Sequence, residues 1–80
     1  MNNEVSRAMV EIFKTNVNNK RQAGKVLKAL STCLPTYLFN FDLDDCDRIL
    51  RVKSSGPVIE TIAIIRIVKD HQFEISVFDD

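Results

Sequence analysis

The side chains that could bind a metal ion or act as catalysts lie in three separate polar segments. One holds Asn18, Asn19 and Gln22, the next holds Asp44, Asp45, Cys46 and Asp47, and the last holds Asp70 and His71. Thiolate, imidazole and carboxylate groups are ligands of Zn²⁺. One hypothesis is therefore an atypical metal site formed by Cys46, His71 and the carboxylates of Asp44, Asp45 and Asp47. The alternative is that these are solvated turn residues, since Asp and Asn favour turns and a histidine is stabilised at a helix C-terminus.

Other catalytic or ion-binding patterns are incomplete. The chain has one histidine, and no Ser/His/Asp or Cys/His nucleophile pairing can be identified. Residues 42–53 resemble a calcium loop only superficially, because Asp47 stands where the sharp turn needs glycine and Lys53 stands where the loop needs glutamate. We expect no enzymatic activity and no cofactor.

Composition describes one small domain without an overall charge preference. The 80 residues carry 11 basic and 11 acidic side chains, so no net field attracts nucleic acid or anionic lipid. The longest apolar run, residues 62–65, is far shorter than the roughly 20 residues of a membrane span. No signal peptide is visible, which predicts a cytoplasmic location with reduced thiols. We expect residues 1–8 to form a flexible tail and residues 9–80 to form one domain.

Two cysteines are too few for a disulfide scaffold. Cys33 is expected near the end of the first helix, far from Cys46 in the following turn. A disulfide requires Cα atoms within about 7 Å, so no internal bridge is expected. Cys33 is predicted to be a small core residue.

The elements that position these side chains follow from hydrophobic periodicity. Alternation predicts strands at residues 9–17, 36–43, 48–53 and 73–77. Asn18 or Asn19 can cap a helix whose apolar residues recur from Ala23 to Leu34, before Pro35 ends it. Residues 58–72 are rich in β-branched side chains, but fifteen residues between breakers is long for a strand, and alternation fails at Ile64-Ile65. We therefore predict a second helix there.

The resulting order is βαββαβ, an α+β ferredoxin-like sandwich with a four-stranded antiparallel sheet covered on one face by two helices. RNA-recognition domains share this order, but their third strand carries aromatic residues that stack on bases, and residues 48–52 have none. Acylphosphatases share this order too, and they hold phosphate with an arginine in the loop after the first strand. Arg21 lies in the corresponding loop of this chain, but the glycine-rich context that would bind an anion is missing.

Several local patterns make the chain similar to the heavy-metal-associated domains of copper chaperones and metal-transport ATPases. Residues 41–43 and 48–52 resemble the family's hairpin, Phe73 and Val77 resemble its closing strand, and residues 16–22 align with its Gly-Met-Thr-Cys-x-x-Cys loop. The resemblance covers residues 9–78. The family's two metal-binding cysteines fall on Asn19 and Gln22, and amides cannot replace thiolates for a soft cation. The resemblance therefore implies a degenerate member with no metal expected at these two positions.

That resemblance also implies that His71 or Gln72 must take the left-handed conformation usually given to glycine at the end of the second helix. Apolar residues surround nearly the whole second helix, so Ile64 and Ile67 exceed what one core needs. We therefore predict a non-enzymatic protein–protein interaction module, or a homo-oligomer, that uses Ile64 and Ile67 and possesses no nucleic-acid or membrane partner. The alternative is a metallochaperone-like protein using Cys46, His71 and Asp45.

Overall fold

A computed structural model describes residues 9–56 and 58–78 of the chain. The elements are β1 (Met9–Thr15), α1 (Lys20–Cys33), β2 (Tyr37–Asp42), β3 (Ile49–Ser54), α2 (Thr61–Asp70) and β4 (Ile75–Val77). All strand pairings are antiparallel, and the four strands lie in the order β2-β3-β1-β4. The predicted α+β fold with βαββαβ order is confirmed and is consistent with a ferredoxin-like sandwich.

The core lies between the sheet and the two helices. Phe13 of β1 stands opposite Leu50 of β3, and Leu50 stands opposite Phe41 of β2, so these side chains share one face of the sheet. That face packs against the apolar stripes of both helices. The fully buried large side chains are Phe13, Val17, Val26, Leu30, Leu50, Val52, Ile64 and Val68.

Helix α1 begins and ends where its sequence predicts. Asn19 is the N-cap, in extended geometry, and its side chain accepts a hydrogen bond from the backbone N–H of Gln22. The buried positions Ala23, Val26 and Leu30 recur at helical spacing, which directs one stripe toward the sheet. The predicted burial of Cys33, however, is wrong: this last residue of α1 is exposed.

Helix α2 is confirmed as a helix, although it begins at Thr61, three residues after the predicted start. Its buried positions are Ile64 and Val68, four residues apart. The prediction that Ile64 is surplus to the core is wrong, because its side chain is 0% exposed, whereas Ile62 is 73% exposed. Ile67 is half-buried and packs against the core.

At the end of α2, Gln72 adopts the left-handed conformation predicted for His71 or Gln72, with a φ of 70°. Its N–H donates to the carbonyl of Lys69 at 2.8 Å, and the N–H of Phe73 donates to the carbonyl of Val68 at 3.3 Å. These two bonds make a Schellman motif, in which a residue with a Cβ accepts the strain that glycine avoids.

Neither described helix is long and apolar enough to cross a membrane. Residues 1–8, predicted to be a flexible tail, lie outside the described residues.

Candidate functional site

The loops next to the three polar segments named above are joined at one end of the sheet, whereas His71 lies beside Lys28 and Thr32 of α1. The backbone N–H of Thr15 donates to the carbonyl of Asp47 at 3.2 Å, which joins the end of β1 to the β2–β3 turn. The Asn16 side chain accepts from the N–H of Glu74 at 2.8 Å, which joins the β1–α1 loop to the segment before β4. This end of the domain is therefore built from three connected loops, as the topology predicts.

The two positions that align with the metal-binding cysteines close the start of α1. The side-chain oxygen of Asn19 accepts from the N–H of Gln22 at 2.9 Å, and that of Gln22 accepts from the N–H of Asn18 at 2.7 Å. This reciprocal arrangement resembles a capping box and satisfies backbone donors that a helix start leaves free. Asn19 and Gln22 thus have a structural role that accounts for their amide side chains.

The β2–β3 turn brings three of the predicted metal ligands together. One ligand atom each from Asp45, Cys46 and Asp47 lies within 4.8 Å of the others. Asp47 donates its N–H to the Asp45 carboxylate at 2.8 Å, so this cluster also has the hydrogen bonding of a simple Asp turn. His71 does not join them: its Nδ1 lies 3.0 Å from the carbonyl of Ile67, one turn back along α2.

Arg48 holds the same turn in place. Its backbone has a left-handed φ of 49°, and its N–H donates to the carbonyl of Asp45 at 2.9 Å. Its guanidinium donates to the carbonyl of Leu43 at 2.7 Å, and its own carbonyl accepts from the Thr15 hydroxyl at 2.7 Å. Contacts from both sides of the turn therefore fix its conformation.

A separate feature is an open groove between α1 and β2, with a volume of about 640 Å³. Its apolar lining includes Leu27 of α1 and Phe39 and Phe41 of β2. All three are only partly buried, although Phe39 and Phe41 lie on the helix side of the sheet. Gly24 lies on the helix wall, and a Cβ added there would meet no atom within 4 Å. Glycine inside a helix costs about 1 kcal/mol relative to alanine, and no described neighbour requires it here.

The sheet wall of this groove is an edge strand. β2 pairs with β3 on one side, and within residues 9–56 and 58–78 no strand pairs with its other side. The N–H of Tyr37 donates to the carbonyl of Leu34 at 3.2 Å, and the other backbone groups of this edge that point away from β3 have no strand partner among the described residues. The edge is six residues long and carries no proline.

Charge is distributed unevenly along α1, where Lys20 lines the groove and Lys25 and Lys28 lie on the opposite side, beside Thr32 and His71. The residues of α1 include four cations and no carboxylate, and all four cations are exposed: Lys20, Arg21, Lys25 and Lys28. Lys20 and Arg21 occupy the first turn, where the helix dipole disfavours positive charge. The zero net charge of the chain thus conceals a strongly basic helix.

Two further surfaces carry exposed apolar side chains. Before the start of α2, Val58 is 62% exposed, and Ile62 in the first turn of the helix is 73% exposed. On the sheet face away from the helices, Leu38 and Val10 stand on either side of Lys53 in one row across β2, β3 and β1. The predicted interaction pair is therefore only partly accessible: Ile64 lies in the core, and Ile62 takes the exposed position on α2.

Sequence reasoning missed the α1–β2 groove. Its visible signals were Gly24 in the middle of a helical pattern and an acid-free helix with two cations in its first turn. Both depart from ordinary helix preferences, and departures of this kind concentrate at functional surfaces.

Comparisons with protein-family models, with curated proteins and with solved structures find no match to this chain. The resemblance to heavy-metal-associated domains therefore stays a prediction from the residues.

Proposed function

We propose that this chain is a non-enzymatic module that acts by contact with another protein, on a scaffold similar to heavy-metal-associated domains that has lost the soft-metal site. The observation that carries the proposal is the groove between α1 and β2. Three large apolar side chains, Leu27, Phe39 and Phe41, remain incompletely covered beside the edge of β2, with which no other described strand pairs. Apolar surface next to free backbone donors and acceptors is the usual basis of peptide and strand recognition.

A direct test compares partner capture by the wild-type chain and by a variant in which the groove is filled. In Gly24→Met, a flexible side chain occupies the open space at Gly24, and methionine is a better helix former than glycine. The matched control is Thr32→Met, which places the same side chain at an exposed position on the other side of α1, near His71. We expect a partner protein, or a second copy of the chain, to be retained by wild type and Thr32→Met and lost by Gly24→Met. Partners retained equally by all three chains would contradict the groove as the contact surface.

A second candidate function, metal handling, is favoured by the grouping of Asp45, Cys46 and Asp47. Native mass spectrometry of the reduced protein with equimolar Zn²⁺ or Cu(I) tests it and reports the oligomeric state in the same spectrum. We propose that the wild-type chain carries no tightly held metal. One ion per chain that survives a chelator and is lost in Cys46→Ser would replace the interaction proposal by the metal one.

The resemblance itself can be tested by restoring the missing ligands. In Asn19→Cys/Gln22→Cys, two thiols stand three residues apart at a helix N-terminus, where the positive end of the helix lowers a thiol pKa. If the scaffold is similar to heavy-metal-associated domains, this variant binds one Cu(I) and the wild type does not. A variant that folds but binds no Cu(I) would refute the resemblance and leave the interaction proposal standing.

A further inference from the structure

We infer that Cys33 is a site of mixed-disulfide formation with a small anionic disulfide of the glutathione class. The inference is separate from the proposed function and concerns the side of α1 opposite the groove. Three features carry it: the open pocket in which the thiol lies, the basic side chains that share this pocket, and the opposite charge around the second exposed thiol, Cys46.

The thiol lies in an open pocket of about 480 Å³ between α1 and the residue that follows α2. Cys33 is the last residue of α1 and is exposed, and His71 is the first residue after α2. Ala29, one helical turn before Cys33, lines the same pocket with a side chain of a single carbon. A dissolved reagent can therefore reach the sulfur in the folded protein.

The pocket is basic. Lys25, Lys28 and His71 line it, and no carboxylate does so among the residues that the structure describes. The Nδ1 of His71 lies 3.0 Å from the carbonyl of Ile67. Because a carbonyl only accepts, Nδ1 must donate this hydrogen bond, and Nε2 is the nitrogen that can contact a ligand. Every charge that these side chains bring to the pocket is therefore positive.

The spacing of the two lysines suits a disulfide whose carboxylates flank its sulfur. Lys25 and Lys28 precede Cys33 by eight and five residues, which places their Cα atoms about 12 Å and about 7.5 Å back along the helix axis. Each half of oxidised glutathione is a tripeptide with a carboxylate at both ends and its sulfur on the middle residue. With that sulfur at Cys33, a carboxylate can extend toward the lysines, whose attraction raises the local concentration of the reagent.

The chemical step is a thiol–disulfide exchange. Cys33 loses its proton to water, and the thiolate attacks one sulfur of the reagent. A new S–S bond to Cys33 forms as the S–S bond of the reagent breaks, and the second half leaves as a thiolate that takes up a proton. Cys33 is oxidised and the reagent is reduced to one thiol, so no other oxidant is required.

Cys46 provides the contrast within the same chain. Its thiol is also exposed, but a carboxylate oxygen of Asp45 and one of Asp47 lie within 4.8 Å of its sulfur. These carboxylates repel an anionic reagent. Exposure alone would make the two thiols equivalent, whereas their surroundings predict that oxidised glutathione reacts preferentially at Cys33.

The test uses two single-thiol variants, Cys46→Ser, which retains Cys33, and Cys33→Ser, which retains Cys46. Each reduced, folded protein is treated with oxidised glutathione and, separately, with the neutral hydroxyethyl disulfide, and intact-protein mass spectrometry measures both rate constants. Dividing the glutathione rate constant by the neutral one removes differences in thiol reactivity and access. We expect this quotient to be about tenfold larger for Cys33 than for Cys46, and the difference to shrink with rising salt.

Removing the lysine charges tests the pocket itself. In the Cys46→Ser background, Lys25→Gln/Lys28→Gln should lower the quotient about threefold or more and leave the neutral rate constant unchanged. The matched control is Arg21→Gln/Lys53→Gln, which makes the same change of net charge at two exposed cations outside both the pocket and the groove. This control should retain the quotient.

Three outcomes would overturn the inference. Equal quotients for the two thiols would make Cys33 only an accessible thiol, and an equal fall in Lys25→Gln/Lys28→Gln and in its control would assign the effect to net charge. A Cys33 that reacts with neither disulfide before unfolding would place the thiol out of reach. None of these results depends on Gly24→Met, so each would leave the interaction proposal standing.

Discussion

Truncating two isoleucines of α2, Ile62 and Ile64, is expected to change the free energy of unfolding to very different extents. Ile64 is 0% exposed and belongs to the core cluster, whereas Ile62 is 73% exposed. Replacing a buried isoleucine by alanine typically costs about 2–5 kcal/mol, because apolar contacts are lost and a cavity remains. A surface substitution of the same kind stays within about 0.5 kcal/mol.

The expected loss is large for a chain of this size. At about 0.05–0.15 kcal/mol per residue, 80 residues correspond to a free energy of unfolding of about 4–12 kcal/mol. A loss of about 3 kcal/mol in Ile64→Ala would lower Tm by about 12–24 °C, since 1 kcal/mol shifts a domain this small by about 4–8 °C. Ile62→Ala should leave Tm within about 4 °C of the wild type.

Urea unfolding followed by far-UV circular dichroism measures both variants against the wild type. If Ile64→Ala does not fold, Ile64→Val should still cost about 0.5–1.5 kcal/mol, while Ile62→Val should cost little. Equal losses for the two positions, or a larger loss at Ile62, would mean that α2 presents a different face to the sheet. The assignment of Ile64 to the core would then be refuted.

Three further outcomes are expected. Asn19→Ala should lower the free energy of unfolding by about 1 kcal/mol, because it removes the side-chain acceptor of the helix cap, whereas Asn19→Asp should change it by only a few tenths of a kcal/mol. An unchanged free energy of unfolding in Asn19→Ala would show that the cap does not stabilise the fold. Gln72→Gly should raise stability by about 1 kcal/mol in the same urea assay, because Gln72 occupies left-handed backbone space, and a loss of stability would contradict the assigned C-terminal geometry. Cys33 and Cys46 are both exposed, so both thiols should react with a water-soluble disulfide reagent in the folded protein, and protection of Cys33 until unfolding would restore its predicted place in the core.

The order of elements was predictable because it depends on local patterns. The β2–β3 hairpin alternates strictly, and α1 has an Asn cap, a helical apolar stripe and a following proline. The left-handed residue after α2 was also predictable, since the helix must end before Phe73 and no glycine is present to end it.

The orientation of α2 was not predictable in the same way. A helix with apolar residues around most of its circumference does not indicate which of them face the sheet. That choice depends on where the helix begins, and residues 58–60 turned out to precede it, with the N–H of Glu60 donating to the Tyr37 hydroxyl at 3.1 Å. Ile64 consequently lies in the core, and Ile62 is exposed.

The candidate groove was unpredictable for a different reason. Its existence depends on β2 being at the edge of the sheet and on α1 lying beside it, and both are properties of the assembled sandwich. Likewise, the two amides at the start of α1 could be identified in the sequence as replacements for thiols, but their reciprocal hydrogen bonds are visible only in three dimensions.

β4 is the shortest strand, and it should detach from the sheet more readily than the other strands. Among the described residues, β4 pairs with β1 through Ile75, Ser76 and Val77, of which Ile75 alone is buried. One further backbone bond flanks the pairing at each end, from Phe78 to Ile12 and from Asn16 to Glu74. Pairing Phe13 with Val77 closes a loop of more than sixty residues, which is entropically costly and rewarded by few bonds. Amide protons of β4 should therefore exchange with solvent through local detachment, well before those of β1 and β3. During folding, the hairpin and helices would assemble first, and this strand would dock last.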